Sequence, residues 1–164
     1  MPTVHLICGS IGAGKTTYAK ALAKRIGCVL FSTDDWMSNL FVAEPGEQVS
    51  LKWAVDRTAR CEKQIWAVAE QLLALGSDVV FDVGLSTRDH RDRFRTHAAQ
   101  LMVDSKLHYL DVDVSSRFER VRQRNAARSG AFAFDVTDAM FQFMENAFEP
   151  PSDDELYDAM ILAF

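Results

Sequence analysis

Gly9-Ser10-Ile11-Gly12-Ala13-Gly14-Lys15-Thr16-Thr17 is the stretch that decides the fold of this 164-residue chain. It matches the pattern G-x-x-x-x-G-K-[ST] without substitution. Val4-His5-Leu6-Ile7-Cys8 before it reads as a short buried strand, and Tyr18 to Ile26 after it as a helix. The pattern therefore sits in the strand–loop–helix frame it requires. Glycines let the main chain wrap closely around a phosphate chain, and successive N–H groups at a helix N-terminus supply the field that holds the anion. The reading implies a nucleoside triphosphate cradled by Ser10, Ile11, Gly12, Ala13, Gly14, Lys15, Thr16 and Thr17. Lys15 would reach the β- and γ-phosphates, and the Thr16 hydroxyl would bind Mg²⁺.

Working outward, strands and helices alternate. Cys28 to Phe31 reads as a strand ending at Ser32-Thr33-Asp34-Asp35, followed by a short helix over Trp36 to Phe41 and a loop at Glu44-Pro45-Gly46-Glu47. A long helix is expected from Gln48 to Leu75, with an apolar stripe of Ala54, Thr58, Cys61, Ile65, Val68, Leu72 and Leu75, closed by Gly76. Trp53 and Trp66 read as packing residues. Asp78 to Asp82 is a strand, Ser86 to Val103 a helix with a Ser86…Asp89 capping box, and Leu107 to Val112 a strand. Ser115 to Arg128 and Val136 to Phe148 are further helices, separated by Ser129-Gly130, and Ala159 to Ala163 is a last strand. This alternation predicts an α/β domain with a parallel sheet covered on both faces.

Three groups of residues carry the chemistry. Asp34 and Asp35 follow the second strand, where such sheets present ligand-contacting side chains. A phosphoryl-transfer enzyme needs a carboxylate to accept the proton of an acceptor hydroxyl. Asp34 is favoured as this base and as a metal neighbour, and Asp35 as helix cap or metal-associated group. The roles of the two remain interchangeable. Asp82 ends an apolar strand, where it would hold Mg²⁺ or serve as a turn residue. Arg117, Arg120, Arg124 and Arg128 step by three, four and four, so they share one helix face. Such a face suits a phosphate clamp, with Arg120 and Arg124 on the nucleotide, Arg124 and Arg128 as the leading catalytic choices and Gly130 as a hinge. The loop after Asp113 is a candidate wall for the base. Arg88, Arg91, Arg93 and Arg95, interleaved with Asp89 and Asp92, read mostly as a salt-laced exposed face, with Arg88 and Arg91 able to contact substrate.

Bulk properties bound the function. A net charge of −5 disfavours a nucleic-acid partner, which wants a basic surface. No segment approaches a membrane span, and the strand at the N-terminus leaves no room for a signal peptide. The widely spaced Cys8, Cys28 and Cys61 read as buried thiols of a cytoplasmic protein. His5, His90, His97 and His108 lack metal-ligand spacing. A GTPase switch lacks its N-K-x-D and D-x-x-G signatures, and a mechanochemical ATPase lacks its strand ending in Asp-Glu.

Taken together, G-S-I-G-A-G-K-T-T, S-T-D-D-W, V-V-F-D-V-G, R-Q-R-N-A-A-R and F-E-P-P-S-D-D-E resemble the small P-loop kinase group. Its members include the kinase domain of phage polynucleotide kinase and chloramphenicol phosphotransferase, and many bacterial ones are described as AAA-type ATP-binding proteins. The resemblance spans Val4 to about Glu155. It implies a three-layer P-loop NTPase fold, one domain over residues 1–164, with a five-stranded parallel sheet in order 2-3-1-4-5. It also implies an arginine-bearing lid over about residues 115–134. It places the catalytic base on Asp34 and lid arginines on Arg124 and Arg128. The activity implied is ATP- and Mg²⁺-dependent transfer of a phosphoryl group to a hydroxyl of a small or nucleoside-type molecule. The alternatives are a polynucleotide 5′-hydroxyl acceptor and a non-catalytic ATP-binding module. Met37 stands where polynucleotide kinases carry an arginine, which weighs against the first alternative.

Overall fold

A computed structural model describes residues 1–41, 50–127 and 135–163. In chain order they form β1 (Thr3–Cys8), α1 (Lys15–Ile26), β2 (Val29–Ser32), α2 (Thr33–Leu40), α3 (Leu51–Ala74) and β3 (Val79–Asp82). There follow α4 (Arg88–Gln100), β4 (Asp104–Asp111), α5 (Val114–Ala127), α6 (Asp138–Ala147), α7 (Asp153–Leu156) and β5 (Met160–Ala163). Every strand pair is parallel, and the sheet order is β2-β3-β1-β4-β5. This is the order that the resemblance implies.

The period-two alternation of the strands sets the layers. Val4, Leu6 and Cys8 of β1 with Val79 and Phe81 of β3 turn to one face, where Cys61, Ile65, Trp66, Ala69 and Leu73 of α3 and Phe94 and Ala98 of α4 cover them. Ile7 and Val80 turn to the other, against Ala19, Leu22 and Ala23 of α1. Buried on both faces, the central strands read as continuous apolar runs. Trp66 is a packing residue as expected, its ring edge-on to Phe81 at 4.8 Å between centroids.

Several local expectations shift. Leu75 is not the last rung of the α3 stripe: it caps the helix and is 83% exposed, and the buried seam drifts to Ala69 and Leu73. A straight helix turns slightly away from a strict seven-residue repeat, which explains the drift. Thr87 rather than Ser86 caps α4, accepting from His90 N, while the Ser86 carbonyl accepts from Glu149 N at 2.8 Å. Neither Asp34 nor Asp35 caps α2. Ser32 does, accepting from Asp35 N at 3.2 Å, and both acids stand in the first turn. Cys28 is only half-buried, and the four-residue α7 carries a Ser152/Glu155 capping box that the sequence reading passed over. The loop expected at Glu44 to Glu47, the helix start at Gln48, Arg128 and the Ser129-Gly130 break lie outside the described residues. Among those described, no helix is long and apolar enough to cross a membrane.

Candidate active site

β1 ends at Cys8 and α1 begins at Lys15, so the glycine-rich stretch forms the turn between a central strand and a helix. Gly14 is the N-cap of α1 with φ 93°, in the left-handed region, and makes no side-chain cap. Ser32, Ser50, Thr87 and Thr137 each cap their helices through a hydroxyl. The first N–H groups of α1 are thus left to an anion. Gly12 is required twice over. Its φ is +77°, and a Cβ there would meet the Arg117 carbonyl oxygen at 2.5 Å.

The Lys15 ammonium donates to the carbonyls of Gly9 at 2.8 Å and Ser10 at 3.1 Å, lying across the loop it would leave to reach a phosphate. Burial lowers its pKa, and the charges of Asp82 and Asp34 oppose that fall. The Thr16 hydroxyl donates to Asp82 Oδ2 at 2.7 Å. Asp82 is 8% exposed; burial raises its pKa, with further raising from Asp34 and Asp35. Ser32 pairs with Asp82 across β2 and β3, so the start of α2 stands beside the end of β3. Asp34 and Asp35 are both exposed there, within electrostatic reach of the Lys15–Asp82 pair.

The donor set fits a small hard cation held jointly with phosphate oxygens. It offers one hydroxyl and one carboxylate, and Mg²⁺ characteristically takes few protein ligands beside phosphate. Among the described residues no group of three or more His, Cys, Asp or Glu is placed to hold a metal by itself. On α5, Arg124 has a buried Nε without a hydrogen-bond partner. Arg120 Nη1 reaches the Ala13 carbonyl at 3.4 Å.

The four-arginine face does not act as a unit. Arg117 is turned inward, 6% exposed, in a two-pronged ion pair with Glu145 at 2.5 and 2.7 Å, which holds the Glu145 carboxyl below its ordinary pKa. Arg128 lies outside the described residues. In the second basic cluster Arg88 and Arg95 pair with Asp92 and Arg93 with Asp89, as expected of a salt-laced face, and Arg91 is the departure from it. Arg91 has no exposed surface and donates to Glu155 at 2.7 and 2.9 Å and to the carbonyls of Leu85 and Glu149. Arg88 is engaged by Asp154 and Ser152. These residues brace the loop after Asp82 from the C-terminal segment and are not free for a substrate. Glu145 and Glu155 escaped the sequence reading because their partners lie 28 and 64 residues away, and no local pattern reports such pairs.

Residues 4–151 match the AAA domain family. No curated protein matches in sequence. Solved structures share the fold across almost the whole chain. Kti12 from Chaetomium thermophilum, in complex with ADP-AlF3, has a TM-score of 0.71 at 16% identity, over 98% of this chain and 89% of that one. A gluconokinase from Sinorhizobium meliloti 1021 gives 0.63 at 18% identity, over 99% and 82% of the two chains. The APS kinase CysC of Mycobacterium tuberculosis, in complex with AMPPNP and APS, gives 0.63 at 18%, over 99% and 88%. Identities this low establish the fold alone, which is that of P-loop NTPases and is consistent with the small P-loop kinase group.

Proposed function

This chain belongs to the AAA domain family, and on that footing we propose that it is a phosphotransferase moving the γ-phosphoryl group of ATP to a hydroxyl of a small molecule. The observation that carries the reading is the conjunction, at the carboxyl ends of β1, β2 and β3, of an uncapped helix N-terminus, Lys15, the Thr16–Asp82 pair and the exposed carboxylate of Asp34. A nucleotide-binding module needs the first three. The fourth, standing clear of the cradle, suits a group that receives a proton from an acceptor. That some structures of this fold carry ADP-AlF3, or AMPPNP with APS, agrees with this use of the cradle.

Bound ATP and Mg²⁺ would supply the phosphoryl group and a cation that offsets its negative oxygens. The amides of residues 10–14 and the N-terminus of α1 would hold the phosphates. Lys15 would exchange the carbonyls of Gly9 and Ser10 for phosphate oxygens, and Thr16 with Asp82 would hold the cation. Asp34 would orient the acceptor hydroxyl and take its proton, while Arg124, and Arg128 beyond it, would offset charge as it develops. A small acceptor suits the net charge of −5 better than a polynucleotide does.

The test is a screen of sugars, sugar acids, nucleosides, aminoglycosides and 5′-hydroxyl oligonucleotides with γ-labelled ATP. One small hydroxylated compound should take label. Asp34→Asn should slow that transfer about a hundredfold or more while the affinity for ATP holds. Label on oligonucleotides alone would favour the polynucleotide reading. ATP binding without transfer to any acceptor would favour a non-catalytic module.

A further inference from the structure

Ser10 and Ile11 of the phosphate loop meet a single ion pair behind it, and Gly12 packs on the main chain of one of its members. The Ser10 hydroxyl donates to Glu145 Oε2 at 2.7 Å, and the same carboxylate receives Arg117 Nη1 at 2.5 Å and Nη2 at 2.7 Å. Arg117 Nη1 also donates to the Ile11 carbonyl at 3.3 Å, its Nε to Val112 at 2.8 Å, and its own carbonyl closes on Gly12. Arg117 belongs to α5 and Glu145 to α6. A second tie joins α5 to the segment that leads into α6: Asn125 Nδ2 donates to the Val136 carbonyl at 2.8 Å, and Val136 N donates back to Asn125 Oδ1 at 3.2 Å. Arg120 and Arg124 lie on α5 between the two ties.

An ion pair that served only to hold α5 against α6 would not need Ser10. Ser10 is fixed at both ends. Its hydroxyl is held by Glu145, and its carbonyl accepts from Ala13 N at 3.2 Å and from Lys15 Nζ at 3.1 Å. When Lys15 leaves for a phosphate, the Ser10 carbonyl loses one of its two donors, and the hydroxyl tie is what keeps the residue in place. A bare carboxylate beside a triphosphate would repel it. The two-pronged guanidinium cancels that charge, which gives the otherwise buried Arg117 a reason to face inward.

We infer that Glu145 is a positioning residue for the nucleotide: through Ser10 it sets the shape of the phosphate loop, and through Arg117 it joins that shape to the helix pair carrying Arg120 and Arg124. The inference rests on the proposed nucleotide site but on no particular acceptor. Calorimetric titration of MgATP into the wild-type chain, Ser10→Ala, Glu145→Gln and the double variant tests it. Ser10→Ala should bind MgATP about tenfold more weakly, Glu145→Gln at least as weakly, and the double variant no more weakly than Glu145→Gln, because the Glu145 change already weakens the acceptor that the Ser10 hydroxyl uses. Ser10→Ala leaves the Arg117–Glu145 pair intact and carries the test should Glu145→Gln fail to fold. Affinities within about twofold of wild type with only the melting temperature lowered, or losses that multiply in the double variant, overturn the inference alone. A wild-type chain that does not bind MgATP overturns the site reading as well.

Discussion

Acidification should destabilise this protein above the pH at which its carboxylates titrate, and His108 is the reason. The imidazole lies in β4, 2% exposed, with Nε2 2.9 Å from His5 Nδ1 and Nδ1 2.8 Å from the Tyr18 hydroxyl. Burial, with the nearby charges of His5, Lys106 and Arg25, pushes its pKa from 6.5 down to about 4. The unfolded chain therefore takes up a proton below pH 6.5 that the folded chain refuses until about pH 4. Stability falls as pH drops through this window and levels off beneath it. Linkage over pH 7 to 4.5 gives a loss of about 2 kcal/mol, a large share of the ~5–15 kcal/mol typical of a domain. The pKa of His5 is lowered too, so it adds in the same direction. Urea unfolding followed by circular dichroism at half-unit steps over that range measures the slope. His108→Gln, which keeps a hydrogen-bonding group without a titration, should be less stable at pH 7 yet flatter across the window. A wild type of constant stability from pH 7 to 4.5, or a variant with the same slope, would refute the reasoning.

Two other perturbations probe different parts of the molecule. Gly12→Ala forces a Cβ onto the Arg117 carbonyl at 2.5 Å and into a left-handed conformation, so MgATP affinity should fall about a hundredfold, read by calorimetry, with the circular dichroism spectrum retained. Glu155→Gln strips the partner from the fully buried Arg91 and should cost about 3–5 kcal/mol in urea unfolding. Burial pushes the Glu155 carboxyl up, but Arg91, the Ser152 amide and Arg95 outweigh it and hold it at about 2. The wild-type pair therefore stabilises at every pH above 4.5 and is lost as pH falls through 2, and the variant should lack that acid-side loss.

Much of this architecture was legible because it is written locally. The apolar runs at Val4, Val79 and Leu107 mark strands by themselves, and the loop pattern fixes the direction of the first strand–helix unit. The strand order came from the resemblance and not from any local signal, since register depends on contacts between distant segments. Helix ends slipped by up to three residues, as at the start of α2 and at the start of α4, where Thr87 and not Ser86 is the cap. The arginines were the hardest to read. Spacing put Arg117 and Arg124 on one face, but whether a guanidinium faces an anion or a buried carboxylate depends on Glu145, far along the chain. The same holds for Arg91, whose partner lies on α7.

The central claim is that the loop from Gly9 to Thr17, with Lys15 across it, grips a nucleoside triphosphate. Isothermal titration of MgATP into the wild-type chain and into Lys15→Ala, both checked for a folded spectrum, tests it most directly. The account predicts saturable one-to-one binding that the substitution removes; absence of heat from wild type with either ATP or GTP, or undiminished binding by Lys15→Ala, would contradict it.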